Sequence, residues 1–71
     1  MAGRPAMDGT VVAFDERRGL GTIRGADGAE YPFHATCIAD GSRAIEPGAA
    51  VRFEVVAGHL GRWEAAAVEK R

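Results

Sequence analysis

The chain has 71 residues, enough for one domain and too few for a second. A hydrophobic fraction of 46% with 27% charged residues argues against disorder, and a formal net charge of -1 neither attracts nor repels nucleic acid in bulk. A single cysteine excludes an intrachain disulfide, one Cys with two His is too few for a closed zinc site, and no run approaches the roughly 18 apolar residues of a membrane helix.

Residues 1–6 read as a flexible N-terminal tail with no apolar segment behind them that could serve as a signal peptide, so a cytoplasmic setting is expected, with one domain over residues 7–69. Gly9-Thr-Val-Val-Ala-Phe14 is rich in β-branched and aromatic residues and predicts a first strand. A charged turn, Asp15-Glu-Arg-Arg18, leads into a second strand, Gly19-Leu-Gly-Thr-Ile-Arg24, whose glycines mark a bend or a close approach. Asp27-Gly28 is a hairpin signal, and Glu30-Tyr-Pro-Phe-His34 is the third strand, with Tyr31 and Phe33 on one face and Pro32 and His34 on the other. Proline has no amide hydrogen to donate, so that strand is at an edge or irregular there. Ala35-Thr-Cys-Ile38 is long enough for one turn of helix only, and Cys37 reads as a small buried apolar residue.

Past the loop at Asp40-Gly-Ser-Arg43 and the turn at Glu46-Pro-Gly48, Val51-Arg-Phe-Glu-Val-Val56 alternates, with Val51, Phe53 and Val55 inward. Gly58-His-Leu-Gly61 is a hairpin loop. The alanines of Arg62-Trp-Glu-Ala-Ala-Ala-Val68 suit a short helix or a fifth strand; the strand is preferred because an isolated two-turn helix is weak. Five short strands at this spacing predict an all-β fold, a small closed barrel.

These residues resemble the cold-shock domain family, from about Met7 to Val68. Gly9-Thr-Val-Val-Ala-Phe14 is similar to the family's opening Gly-x-Val-Lys-Trp-Phe. Arg18-Gly-Leu-Gly-Thr-Ile23 is similar to its first ribonucleoprotein motif, Lys-Gly-Phe-Gly-Phe-Ile. Tyr31-Pro-Phe-His-Ala35 falls at the second, Val-Phe-Val-His-Phe, and Glu46-Pro-Gly-Ala-Ala-Val-Arg-Phe-Glu-Val55 resembles its fourth strand. The resemblance implies a five-stranded antiparallel Greek-key OB-type barrel that binds single-stranded RNA or DNA without enzymatic activity or cofactor. Carried over by position, the family's ring platform is thinned: Ala13, Leu20, Thr22, Pro32 and Ala35 stand where it has rings, and Phe14 and His34 keep theirs. Each stacked base is worth about 1–3 kcal/mol, so the implied binding is weak and of low sequence specificity.

Eight of the nine basic residues are arginine, which binds phosphate bidentately and stacks on flat rings; a GC-rich genome produces the same bias. The candidate binding residues are Phe14, Arg18, Leu20, Thr22, His34 and Trp63, with Arg17, Arg24, Arg43 and Arg62 bordering the face. Each has a plainer alternative. His34 is a solvated strand residue, Arg17-Arg18 a turn neutralised by Asp15-Glu16, and Trp63 a cap on one barrel end. No catalytic residue is assigned, because Cys37 and His34 lack an orienting carboxylate. The rival function is a protein-interaction or self-associating barrel that uses the Leu20, Thr22, Pro32 and Ala35 surface.

Overall fold

Five runs of β-branched and aromatic residues, punctuated by glycine turns, form five strands in the computed structural model, which describes residues 6–58 and 61–71. These are β1 (Ala6–Asp15), β2 (Leu20–Gly25), β3 (Glu30–His34), β4 (Ala50–Ala57) and β5 (Trp63–Lys70), with a single 3-10 turn over Ala35–Cys37. Of the tail expected over residues 1–6, residues 1–5 lie outside the described residues, and Ala6 opens β1. Within the loop read at Gly58–Gly61, His59 and Leu60 likewise lie outside the described residues.

All ladders are antiparallel, in the order β3-β2-β1-β4-β5, so the proline-bearing β3 is an edge strand as its sequence allows. Cross-strand partners share a face, and two rows run across β1, β2 and β3. Val11, Ile23 and Tyr31 form an inward row, and Phe14, Gly21 and Phe33 form the next. With Ile38, Ile45, Val51, Phe53, Ala65 and Val68 they build the core, and among the described residues no polar side chain is buried. Cys37 is half-buried rather than buried, because Ile38, the next residue, occupies the core position at the end of the turn.

The sheet curls until its two edge strands meet, the barrel arrangement expected of five such strands. β3 and β5 pack against each other but share no ladder among the described residues, and Pro32 has no amide hydrogen to offer across the seam. One end of that seam is held by a parallel bridge between Ile38 and Val68, and the Ala39 amide donates to the Val68 carbonyl at 2.7 Å. Among the described residues no helix is long and apolar enough to cross a membrane.

Two bulges reset which side chains face inward. The first lies in β1, where the register passes from Val11 to Ala13 and leaves the half-turned-out Val12 unpaired. The second lies opposite Phe53, where Glu69 pairs Arg52 and Ala66 pairs Glu54. It places Ala67 in the left-handed region, φ 50°, and turns Val68 into the core. A bulge residue with that φ is ordinarily glycine, and an L side chain there costs on the order of 1–2 kcal/mol. Ala67→Gly is therefore expected to stabilise the fold by up to about 1 kcal/mol, since relief of strain exceeds the added chain entropy of glycine. Chemical denaturation checks this, and a lower midpoint would contradict it.

The β2–β3 hairpin is fixed by Asp27. Gly28 occupies φ 84° with open space around it, its amide donates to the Gly25 carbonyl at 2.9 Å, and the Ala29 amide donates to Asp27 Oδ1 at 3.0 Å. The Tyr31 hydroxyl donates to Asp27 Oδ2 at 2.5 Å. That bond, then the one from Ala29, holds the Asp27 carboxyl below its ordinary value, while the same carboxylate raises the Tyr31 phenol. A carboxyl depressed on folding contributes stability above its unfolded value and loses it as pH falls through the folded one. Unfolding midpoints should therefore decline below about pH 4, and less steeply in Asp27→Asn. Parallel acid titrations of the two proteins would refute this if their slopes coincide.

Candidate functional site

The outward face of the β1–β2–β3 sheet is set by the same register. Asp15, Leu20 and His34 form one row across the three strands, and Ala13, Thr22 and Pro32 form the next. Leu20 is 48% exposed, although it stands in the middle strand of the three. A hollow of 620 Å³ lies here, lined by these two rows together with Phe14, Gly21, Phe33 and, from β5, Glu64. The Glu64 side chain folds over Gly58, where no Cβ has room.

Phe14 does not stand in either outward row. The β1 bulge turns it inward opposite Gly21, where it is half-buried and stacks on Phe33 with ring centroids 5.8 Å apart and planes 19° from parallel. It offers the hollow part of its ring while the rest anchors the core.

His34 has a defined polarity. It caps the 3-10 turn, the Thr36 amide donating to His34 Nδ1 at 3.2 Å, and Thr36 Oγ1 lies 3.0 Å from the same nitrogen. An amide can only donate, so Nδ1 accepts and the neutral ring carries its hydrogen on Nε2, available as a donor on the exposed face. Cys37 takes no part in this arrangement.

Trp63 opens β5 and is 62% exposed. It does not serve as a buried cap. With Arg62 and Gly61 it borders a second hollow, 520 Å³, whose other side is Thr22, Pro32, Tyr31, Glu30 and Ala29. Thr22 and Pro32 line both hollows, so Leu20, Thr22, Pro32, His34 and Trp63 belong to one continuous surface. Sequence patterning left Trp63 unplaced, because the last hairpin is about one residue longer than the family pattern; in the structure Trp63 pairs with Ala57 at the end of the β4–β5 ladder.

The basic side chains divide into two groups. Arg24 pairs with Glu30 at 2.8 Å, Arg52 and Arg71 both reach Asp8, and Lys70 lies 3.5 Å from Asp40. Arg18 approaches Asp15 only to 4.0 Å, with both side chains largely exposed, an arrangement worth little. Arg17, Arg18 and Arg43 line a third hollow, beyond Gly19. Of the six candidate residues, the structure brings Phe14, Leu20, Thr22 and His34 to one hollow and Trp63 to the adjoining one, and sets Arg18 in the third. Asp15 and Glu64 border the first hollow without having been read as part of the face. Asp15 was read in the charged turn and in the structure is the last residue of β1, whereas nothing in the sequence brings Glu64 across the seam.

Among the described residues no group of three or more His, Cys, Asp and Glu side chains is placed to hold a metal ion. A family model described as "'Cold-shock' DNA-binding domain" matches residues 7–71. Among solved structures the chain is similar to one described as "drosophila Unr CSD456", at 28% identity and a TM-score of 0.79. The alignment covers 97% of this chain and 28% of that one, so the chain spans well under a third of that protein's length. No curated protein sequence matches the chain.

Proposed function

The chain belongs to the cold-shock DNA-binding domain family, whose members are non-enzymatic binders of single-stranded nucleic acid, and from that premise we propose that it binds single-stranded RNA or DNA weakly and with little sequence preference. The observation that carries this reading is the continuous outward surface from Leu20 and His34 through Thr22 and Pro32 to Trp63. Unstacked bases need apolar planes and ring faces, and this surface supplies one large ring, one imidazole and a floor of Leu, Thr and Pro. The low ring content sets the strength. Several stacking contacts of about 1–3 kcal/mol are absent, so phosphate contacts carry a larger share and salt should weaken binding steeply. Arg62, bordering the second hollow, and Arg18, in the third, are the phosphate contacts, and the His34 Nε2–H is a donor to a base edge.

Because Trp63 is the only tryptophan, its fluorescence reports on its own environment. Titrating the protein with single-stranded RNA and DNA hexamers, and with a duplex, at low and moderate salt tests the proposal. Saturable quenching by single strands that fades with salt is expected, and folded protein that binds no oligonucleotide at low salt would overturn it.

The second reading, a protein-binding or self-associating domain, has its own observation: two large apolar side chains, Leu20 and Trp63, are exposed on the same continuous surface. Sedimentation across a concentration series separates the two, since self-association raises the mass without any oligonucleotide.

A further inference from the structure

Away from Arg62 at its Trp63 end, the surface proposed to receive bases gives their phosphates little to hold. Its main hollow is bordered by the carboxylates Asp15 and Glu64, and Arg24, in the outward row beyond Thr22, is tied to Glu30. At the main hollow a strand must place its negative charge elsewhere.

Beyond Gly19 the sheet ends in a hollow of 460 Å³, where the β1–β2 turn meets the loop that follows the 3-10 turn. Arg17 and Arg18 enter it from the turn and Arg43 from the loop, with the hydroxyl residues Thr36 and Ser42 and a single acid, Glu16. Arg17 and Arg43 have no carboxylate partner among the described residues, in contrast to Arg24, Arg52, Lys70 and Arg71. Three guanidinium groups against one carboxylate form a local excess of positive charge in a chain whose formal net charge is -1.

Both supports of this cluster are fixed. Asp15 Oδ1 accepts the Arg17 and Arg18 amides at 3.0 and 3.2 Å. The Ser42 amide donates to Asp40 Oδ1 at 2.9 Å, and Lys70 Nζ donates to Ser42 Oγ at 3.1 Å while lying 3.5 Å from Asp40, which ties the loop to β5. The cluster also adjoins the base-facing surface: the Gly19 carbonyl accepts the Ala35 amide at 2.7 Å, and a Cβ built on Gly19 would stand 3.7 Å from the His34 ring. Guanidinium groups fixed at their backbones, two of them without a carboxylate partner among the described residues and the third paired with Asp15 only at 4.0 Å, suit a tetrahedral oxyanion, which takes two of them in paired hydrogen bonds.

We infer that this hollow is a phosphate subsite, in which Arg17, Arg18 and Arg43 hold one phosphate group of the strand whose bases lie on the Leu20–His34 surface. The inference rests on the proposed nucleic-acid binding and adds to it the place where the backbone is gripped. The phosphate is an internal diester or a terminal monoester, and the two are separable by experiment.

The test uses the whole chain and the double variant Arg17→Ala/Arg43→Ala. The probe is a fluorescently labelled hexadeoxynucleotide carrying a 5′-phosphate, a 3′-phosphate or neither, titrated over a salt series. The variant should bind several-fold more weakly at low salt, with a slope of log K against log salt shallower by about 0.7 for the lost contact. The Trp63 quench at saturation should be unchanged. A terminal phosphate that tightens binding by the natural chain but not by the variant identifies the monoester; equal affinities for the three probes, with the shallower slope retained, identify the diester. An unchanged affinity and slope in the variant would overturn the subsite and leave base binding standing, whereas failure of the natural chain to bind any probe would end both.

Discussion

Trp63→Ala is expected to weaken binding of single-stranded oligonucleotides by about 5- to 150-fold, the factor that corresponds to one base–ring stack of about 1–3 kcal/mol. The upper part of that range is favoured by composition. On a surface where Leu20, Thr22 and Pro32 provide the floor, Trp63 is the one large exposed ring among the described residues, and Thr22 and Pro32 beside it have no ring with which to take over its base. The same exposure predicts that the fold hardly notices the change. A side chain 62% exposed contributes little burial, and its removal should alter stability by less than about 0.5 kcal/mol. Anisotropy of a labelled hexamer measures the first effect and denaturation the second. Unaltered affinity would move the binding surface away from β5, and Trp63→Phe, which keeps a ring face, should recover most of the loss.

Gly21→Ala is the corresponding experiment on the inner side of the sheet. A Cβ at Gly21 would stand 2.6 Å from two ring carbons of Phe33 and 2.8 Å from Phe14 Cδ1, closer than carbon atoms approach. Phe33 is buried, so it cannot swing away, and the strain falls on the Phe14–Phe33 stack. Overpacking of this kind costs about 1–3 kcal/mol, against about 0.5–1 kcal/mol recovered because alanine loses less chain entropy than glycine. The net loss of about 1–2 kcal/mol should lower Tm by about 5–15 °C in a domain of this size. Thr22→Ala, one residue on and facing outward, is the control and should stay within about 0.5 kcal/mol of the natural chain. If the two variants melt alike, the inward stack has been misplaced. If Gly21→Ala is the weaker one and also binds oligonucleotides less well, the stack supports the hollow above it.

Much of this was legible in the residues. Alternation in Glu30–His34 put Tyr31 and Phe33 inside and Pro32 and His34 outside, and the structure has them there. The strand in 62–68, chosen over a helix, forms as Trp63–Lys70. Ladder order agrees with the edge position that Pro32 allowed. What alternation does not carry is a change of phase. A two-residue period assumes an unbroken ladder, and each bulge inserts one residue that reverses it. Val12 is β-branched like any strand residue, and Ala67 has none of glycine's freedom, so neither announces a bulge. As a result Phe14 falls in the inner row instead of beside Leu20, and Val68 turns into the core out of phase with Ala65. The arginine cluster is a further case: Arg17-Arg18 and Arg43 lie on separate loops, and only the packing of the 3-10 turn between those loops makes them neighbours.

The position of β1 at the centre of the sheet has a kinetic consequence. Its β2 partner follows at once in the chain, but its other neighbour is β4: Gly9 pairs with Val51, and the Val11 amide donates to the Ala49 carbonyl at 3.0 Å. A nascent chain that has reached only the 3-10 turn already contains both outward rows of the base-facing surface, yet it has no Val51, Phe53 or Val68 with which to cover Val11, Ile23 and Phe33. The meander of the first three strands must therefore wait, with its apolar side uncovered, until the last third of the chain arrives, and the contacts that complete it are distant in sequence. Contacts so distant in sequence make the pairing of β1 with β4, rather than formation of the first hairpin, the step that commits the domain to the native state.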